Sequence, residues 1–418
     1  QRVQAVLIAN QRGGDNEPIV LDIGSNTFVD IAQNGNHKPM MIILEEFPDD
    51  VPPVILSCSI DYNIGVLRIF TDEIVDITPV SRLNLTKLQL VQDNETDVGV
   101  TLVGATLKGV DDQIITITLT EAQRVAGIQI SGTSGGDGVG AFLRLEELAI
   151  LDYSLLGNVF VPGLEINETA DSTGPIFLSA TLNLGRGQLK MVFNETIDTT
   201  TLAMVNLSKI FIGDLSTSFT NGVDAVSMSG AVSVTVIDAV TIRIQMTESQ
   251  RVAAMYLGNT TIAGDGTPTV LNVKTGAVHD VAGNPIVNEI ASGLAIEELP
   301  DRMRPNISNP ILHYGNGSLT VEATETLDLT PASLVDLSKI RFVLHDMVLS
   351  LSGASVTETD RLSLSVTLTP SQITTILRKS NIFGSWDATP YSFIDSSDPV
   401  YTAPVLDMLE GSVQDVGQ

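Results

Sequence analysis

One sequence pattern occurs three times, and it governs everything else about the chain. In the stretch GQLKMVFNETIDTTTLAMVNLSKIFI, from Gly187 to Ile212, an alternating strand ends at Glu195 and Asp198. A Thr-rich turn follows, and a second strand opens at Leu207-Ser208-Lys209-Ile210. The same order runs from Gly65 through Glu73 and Asp76 to Leu85-Thr86-Lys87-Leu88. It runs again from Gly317 through Glu325 and Asp328 to Leu337-Ser338-Lys339-Ile340. Recurrence in fixed order about 120–130 residues apart is the mark of tandem copies of one domain.

A second landmark extends the alignment. Gln123-Arg124-Val125 and Gln250-Arg251-Val252 each follow a period-2 strand that ends in Thr-Glu, and Thr369-Pro370-Ser371-Gln372 holds the same place in the third copy. Thr120, Thr247 and Thr369 read as N-caps, with Pro370 at a first helical position. A short helix is therefore expected over about Glu121–Ile128, Glu248–Leu257 and Pro370–Leu377. Gln1-Arg2-Val3 matches this landmark without a preceding strand, and Leu21-Asp22-Ile23 with Asp30 matches Leu143-Arg144-Leu145 with Asp152 and Leu271-Asn272-Val273 with Asp280.

Residues 1–46 thus read as the second half of a repeat. The full repeats follow at 47–162, 163–288 and 289–403, and 404–418 reads as a linker or tail. Each full repeat has six or seven short strands separated by Gly, Asn and Asp turns, the pattern of an all-β sandwich. The junctions carry apolar-acidic runs and prolines, such as Ile43-Leu44-Glu45-Glu46-Phe47-Pro48 and Ala295-Ile296-Glu297-Glu298-Leu299-Pro300. Proline stiffens such junctions, so a rod or stacked beads is expected. Half a sandwich leaves an apolar face and open strand edges in water, so something must cover residues 1–46.

Composition narrows the partners. The chain carries 50 acidic against 22 basic residues, a net charge of −28, and 43% apolar residues, enough for cores. Such a surface repels nucleic acid and anionic membranes. No apolar run approaches the ~18 residues of a membrane span, so no membrane insertion is expected. The single cysteine, Cys58, sits in alternating apolar sequence and reads as a buried thiol, so no disulfide framework supports the domains.

The repeats resemble a family of immunoglobulin-like repeats of large secreted and surface proteins of bacteria and algae. The resemblance rests on Leu189 to Asp198 with Thr201-Leu202, and on the closing Gly276-Ala277-Val278-His279-Asp280-Val281-Ala282-Gly283-Asn284-Pro285. The second repeat carries both elements. The first keeps the former, and the third lacks the Ala-Gly-Asn-Pro turn. The resemblance implies tandem immunoglobulin-like β-sandwiches, each with one short helix, and a secreted structural or adhesive role.

Candidate sites follow from residue types. Sequons stand at Asn84, Asn94, Asn167, Asn194, Asn206, Asn259, Asn306 and Asn316, which implies N-linked glycans on an extracellular or cell-surface glycoprotein. Junction acids Glu45, Asp49, Glu297 and Asp301 are weak calcium candidates, since hard oxygen ligands at a hinge suit that ion. Against this, there is no EF-hand loop, and Asp is also a turn former. The four histidines (His37, His279, His313, His345) lack zinc spacing, and no nucleophile elbow or phosphate loop occurs, so no enzyme and no catalytic residue is expected. The expected function is a subunit of an extracellular fibre or appendage, its partners copies of itself. Val3, Val6, Leu7 and Ile8 at one end and Val405, Leu406, Met408 and Leu409 at the other are the expected inter-subunit contacts. The alternative is a stalk or spacer of a larger adhesin with its binding domain elsewhere.

Overall fold

The computed structural model describes residues 1–37, 40–92, 99–200, 204–214, 225–233, 238–260, 262–287, 293–344, 347–379 and 404–417. The chain is mostly β-strand, spread over several sheets with a few short helices. It divides into two compact units. One comprises Gln1–Ile176, Asn194–Asp198 and His279–Val287. The other comprises Phe177–Phe193, Thr199–Val278 and Asn288–Gln418.

In the first unit, strand Ile55–Asp61 turns back on strand Val66–Val75, which pairs antiparallel with Asp112–Thr118. The turn closes on Gly65 at φ +62°, a left-handed conformation that side chains resist; Gly187 and Gly317 take the same conformation at the matching turns. Along Val66–Val75 alternate side chains point inward, with Leu67 and Ile69 fully buried. A second set of strands, Leu88–Val91 against Phe142–Leu145, supplies Leu88, Leu90, Leu143 and Leu145 to the same core. Burying each such side chain contributes roughly 1.5–3 kcal/mol. The second unit repeats the scheme twice, with Leu189 and Met191 buried in one copy and Leu319 and Val321 in the other.

The strand Val161–Thr169 joins the two strand sets. Its first half pairs antiparallel with Phe142–Leu145, the register shifts between Val161 and Leu164, and Ile166–Thr169 then pairs parallel with Cys58–Asp61. A strand that changes sheets through a bulge is an established corner device. In the second unit Leu294–Ala295 and Glu297–Leu299 do the same against Thr269–Val273 and Phe177–Asn183. What the sequence presents as a junction run is therefore a paired strand.

Four helices lie where expected: α1 (Arg2–Leu7), α2 (Glu121–Gln129), α3 (Glu248–Leu257) and α4 (Pro370–Lys379). The last three share one anchor. Thr120, Thr247 and Thr369 accept the backbone N–H of Gln123, Gln250 and Gln372, whose side chains reach back to the cap backbone. Each glutamine amide also donates to two carbonyls of a neighbouring turn: Thr101 and Val103, Ser227 and Ser229, Ser350 and Ser352.

Residues 1–46 hold a helix and the strand pair Val20–Ile23 with Met40–Ile43, the elements that α2, Phe142–Leu145 and Val161–Thr169 form in the first full repeat. The expectation of a linker or tail at 404–418 is corrected. Val405–Met408 is a strand paired with Ile340–Leu344, and Leu327 bridges Asp415, so this segment completes the sheet of the third repeat. Its apolar-acidic alternation reflects one buried face, with Leu406 and Met408 packed on the core.

Replacing Gln123 by methionine, close to it in shape, leaves two strand-turn carbonyls without their donor. Urea unfolding is expected to register a loss of about 1–3 kcal/mol, against within ~0.5 kcal/mol for the same change at exposed Gln129 on the same helix.

Candidate functional site

The helix that follows Thr120 presents Glu121 and Arg124 one turn apart, hence on one face. Arg124 forks onto Glu121 at 2.7 and 2.8 Å, and its Nη1 donates to Asp171 at 2.6 Å. Its Nη2 donates to Glu195 at 3.0 Å, and Nη1 also reaches the Tyr62 carbonyl at 3.2 Å. Glu121 in turn accepts the backbone N–H of Thr196 at 2.7 Å. The helix of one repeat is thereby tied to the switching strand that leaves it and to the strand end that opens the next motif.

The second unit builds this arrangement again. Arg251 forks onto Glu248 at 2.7 Å, donates to Asp301 at 2.5 Å and lies 3.5 Å from Glu325, while Glu248 accepts the N–H of Thr326 at 2.8 Å. A third version sits at the start of the first unit, where Arg2 contacts Asp49 and Glu73, each at 2.8 Å. Arg124 and Arg251 are buried, whereas the Arg2 side chain is 59% exposed.

Each arginine faces a trio of carboxylates: Asp49, Glu73 and Asp152; Asp171, Glu195 and Asp280; Asp301, Glu325 and Asp415. Within each trio, one oxygen per residue lies within 4.8 Å of the others. Burial pushes Glu195 up to about 7; Arg124 pulls it down, and Asp171 and Asp280 add to the rise. Glu325 is likewise raised to about 7 by burial and by Asp301, against the pull of Arg251. Burial also raises Glu121 and Glu248, but their forked pairs with arginine, joined by the Thr196 and Thr326 N–H groups, outweigh it and hold them below the usual range.

The third repeat departs from this pattern. Pro370 and Ile373 replace the Glu and Arg of α2 and α3, and Ile373 packs against the local core instead. The outer aspartates also differ. Asp280 is held by the N–H and the side-chain amide of Asn284, and Asp30 by those of Asn34. Asp152 has Leu156 at the matching position. Its Oδ1 accepts the Leu156 N–H at 2.8 Å, and its buried Oδ2 has no hydrogen-bond donor.

The expected site residues divide accordingly. Asp49 and Asp301 join the trios. Glu45 is exposed, and Glu297 accepts from Thr181 at an exposed strand edge. The residues beside them, Glu46 and Glu298, bind backbone N–H groups of the loop after the helix. Asn84, Asn167, Asn194, Asn206, Asn259, Asn306 and Asn316 are exposed; Asn94 lies outside the described residues. Asn84 and Asn206 also cap short 3-10 turns, a task Asp336 performs in the third repeat. Among the expected contact residues, Val6 is buried, Leu7, Ile8, Val405 and Leu409 are exposed, and Val3 is half-buried. Leu406 and Met408 are half-buried and pack against the core of the third repeat. Cys58 is buried, its thiol pushed up to about 12 by burial. None of the described histidines joins a trio. No described helix is long and apolar enough to cross a membrane.

Sequence reasoning missed the arginines and the outer aspartates as parts of one site. The available signal was the recurrence of Gln-Arg-Val in step with Glu73, Glu195 and Glu325.

No protein-family model matches the chain, and no curated protein matches it. Among solved structures it is similar to the N-terminal part of the bacterial S-layer protein SbsC, at 11% identity over 47% of this chain and 44% of that one, with a TM-score of 0.20. It is also similar to a marsupial T cell receptor, at 10% identity over 75% of this chain and 92% of that one, with a TM-score of 0.15. Neither likeness carries an argument about fold or function.

Between the unfolded glutamate range near 4.5 and about 7, folded Glu195 and Glu325 hold protons that the unfolded chain has released. Their contribution to stability is therefore present at low pH and lost as pH rises through 7. Differential scanning calorimetry is expected to show Tm falling between about pH 5 and about pH 8. The Glu195→Gln, Glu325→Gln double variant should flatten that slope.

Proposed function

We propose that the chain is a length of tandem immunoglobulin-like β-sandwiches serving as a structural subunit of an extracellular filament or surface appendage. Copies associate through residues 1–46. The observation that carries this reading is a contrast between equivalent positions. Leu143 is fully buried in the first full repeat, while its counterpart Leu21 is 44% exposed. On the paired strand, Met41 and Ile43 are 76% and 69% exposed. In the first full repeat Leu88–Val91 pairs beside Phe142–Leu145, and Leu143 shares a core with Leu67, Ile69, Ile115 and Ile117; among the described residues Val20–Ile23 pairs only with Met40–Ile43.

The front half of a further repeat would supply that strand by addition to the sheet, completing the backbone ladder as well as the apolar core. The repeated junctions support a mechanical role, because each ties a helix to the strand end of the following motif through buried charge-assisted bonds. The extracellular setting rests on the exposed sequons.

Size-exclusion chromatography with light scattering, and negative-stain microscopy of the 1–418 chain, test the association. Concentration-dependent oligomers or fibres are expected. They should be lost when Leu21 and Ile43 are changed to lysine, since both already face water and the fold should survive. A folded monomer at every concentration overturns the reading.

A further inference from the structure

In the trio Asp49, Glu73 and Asp152, one buried carboxylate oxygen is left uncommitted beside a cavity. Asp152 is 1% exposed, and its Oδ2 has no hydrogen-bond partner. An aspartate carboxylate left in that state is strongly destabilising unless something neutralises it. At Asp280 the side-chain amide of Asn284 occupies the corresponding oxygen; at Asp152 the residue four positions on is Leu156, which has nothing to donate.

The surroundings are built to hold an ion. Asp152 lines a cavity of about 220 Å³ together with Asp49, Glu73, Arg2, Gln113 and Ser154. One oxygen from each of the three carboxylates falls within 4.8 Å of the others. Arg2 supplies one positive charge to Asp49 and Glu73, so the trio and that guanidinium leave two negative charges, and Asp72 on the cavity wall adds a third. Carboxylate, amide and hydroxyl oxygens with room for water are the donor set of a hard divalent cation, and irregular geometry with a large first shell favours calcium over magnesium.

We propose that Asp49, Glu73 and Asp152 form a calcium site, with Gln113 and Ser154 available as neutral oxygen donors. The site would lock the loop that carries Asp49 to the strand end at Glu73 and the turn at Asp152. The inference does not depend on self-association, and monomer or filament would bind the ion alike.

Isothermal titration of the chelator-treated 1–418 chain with CaCl₂ at neutral pH tests it, with circular dichroism on every sample. Binding in the range of extracellular modules, Kd about 0.1–1 mM, is expected. Asp152→Asn should remove one equivalent. Leu156→Asn keeps every proposed ligand but gives Asp152 the amide partner found at Asp280, so it should weaken that equivalent by about tenfold, which is ~1.4 kcal/mol. Terbium emission sensitised by Tyr153, which also lines the cavity, should fall in parallel. Equal calcium uptake in the parent and both folded variants overturns the proposal. So does an absence of calcium heat accompanied by a Tm that climbs on acidification, which would mean that a proton neutralises the pocket.

Discussion

A guanidinium out of water must find acceptors for all its donors, and a carboxylate out of water must find donors or lose its charge. Arg124 and Arg251 meet the first demand by gathering acids from three separate places in the chain: the preceding turn of their own helix, the switching strand and the next strand end. The second demand is met unevenly. Glu121 and Glu248 receive both the arginine fork and a backbone N–H, and stay charged easily. Glu195 and Glu325 receive a single longer contact each and sit among other acids, so they are the members that take up protons first. One buried cation thus fixes the position of a helix, a strand exit and a strand entry, and the same solution appears in both compact units.

The differences between copies are as informative as the likeness. Where Asn34 and Asn284 satisfy an outer aspartate, the carboxylate is a structural clamp. Where Leu156 stands instead, the same scaffold leaves an oxygen open and a cavity beside it. In α4 the Glu and Arg give way to Pro370 and Ile373, which turns a charged junction face into an apolar one without disturbing the cap, because Thr369 and Gln372 are retained. The cap and the glutamine anchor therefore belong to the fold of each repeat, while the Glu–Arg pair belongs to the junction.

Much of this was legible in the sequence. The Gly65, Gly187 and Gly317 turns, the alternating strands after them and the Thr caps are local signals, and the elements stand where those signals place them. The alignment of residues 1–46 with the back of the first full repeat rests on Leu21, Asp30 and Arg2 keeping step with Leu143, Asp152 and Arg124. The sites were not legible, because Arg124 finds Asp171 and Glu195 at 47 and 71 residues' distance, and periodicity shows a face without showing its partner. The strand Val405–Met408 was missed for a similar reason: four residues of mixed character declare themselves only when set beside Ile340–Leu344. Acids at strand ends look like turn formers until a fold buries them together.

The central claim is that buried charge, and not chain continuity alone, couples the helix of one repeat to the junction that follows. A double-mutant cycle on Arg124→Met and Asp171→Asn in the 1–418 chain, followed by urea unfolding of the first unit, tests it most directly. Either change alone should be severe, since each strands the other partner without water, and the pair should cost less than the sum by about 1–3 kcal/mol. Effects that add to within ~0.5 kcal/mol would mean that the two residues do not work as a couple, and the account would fail.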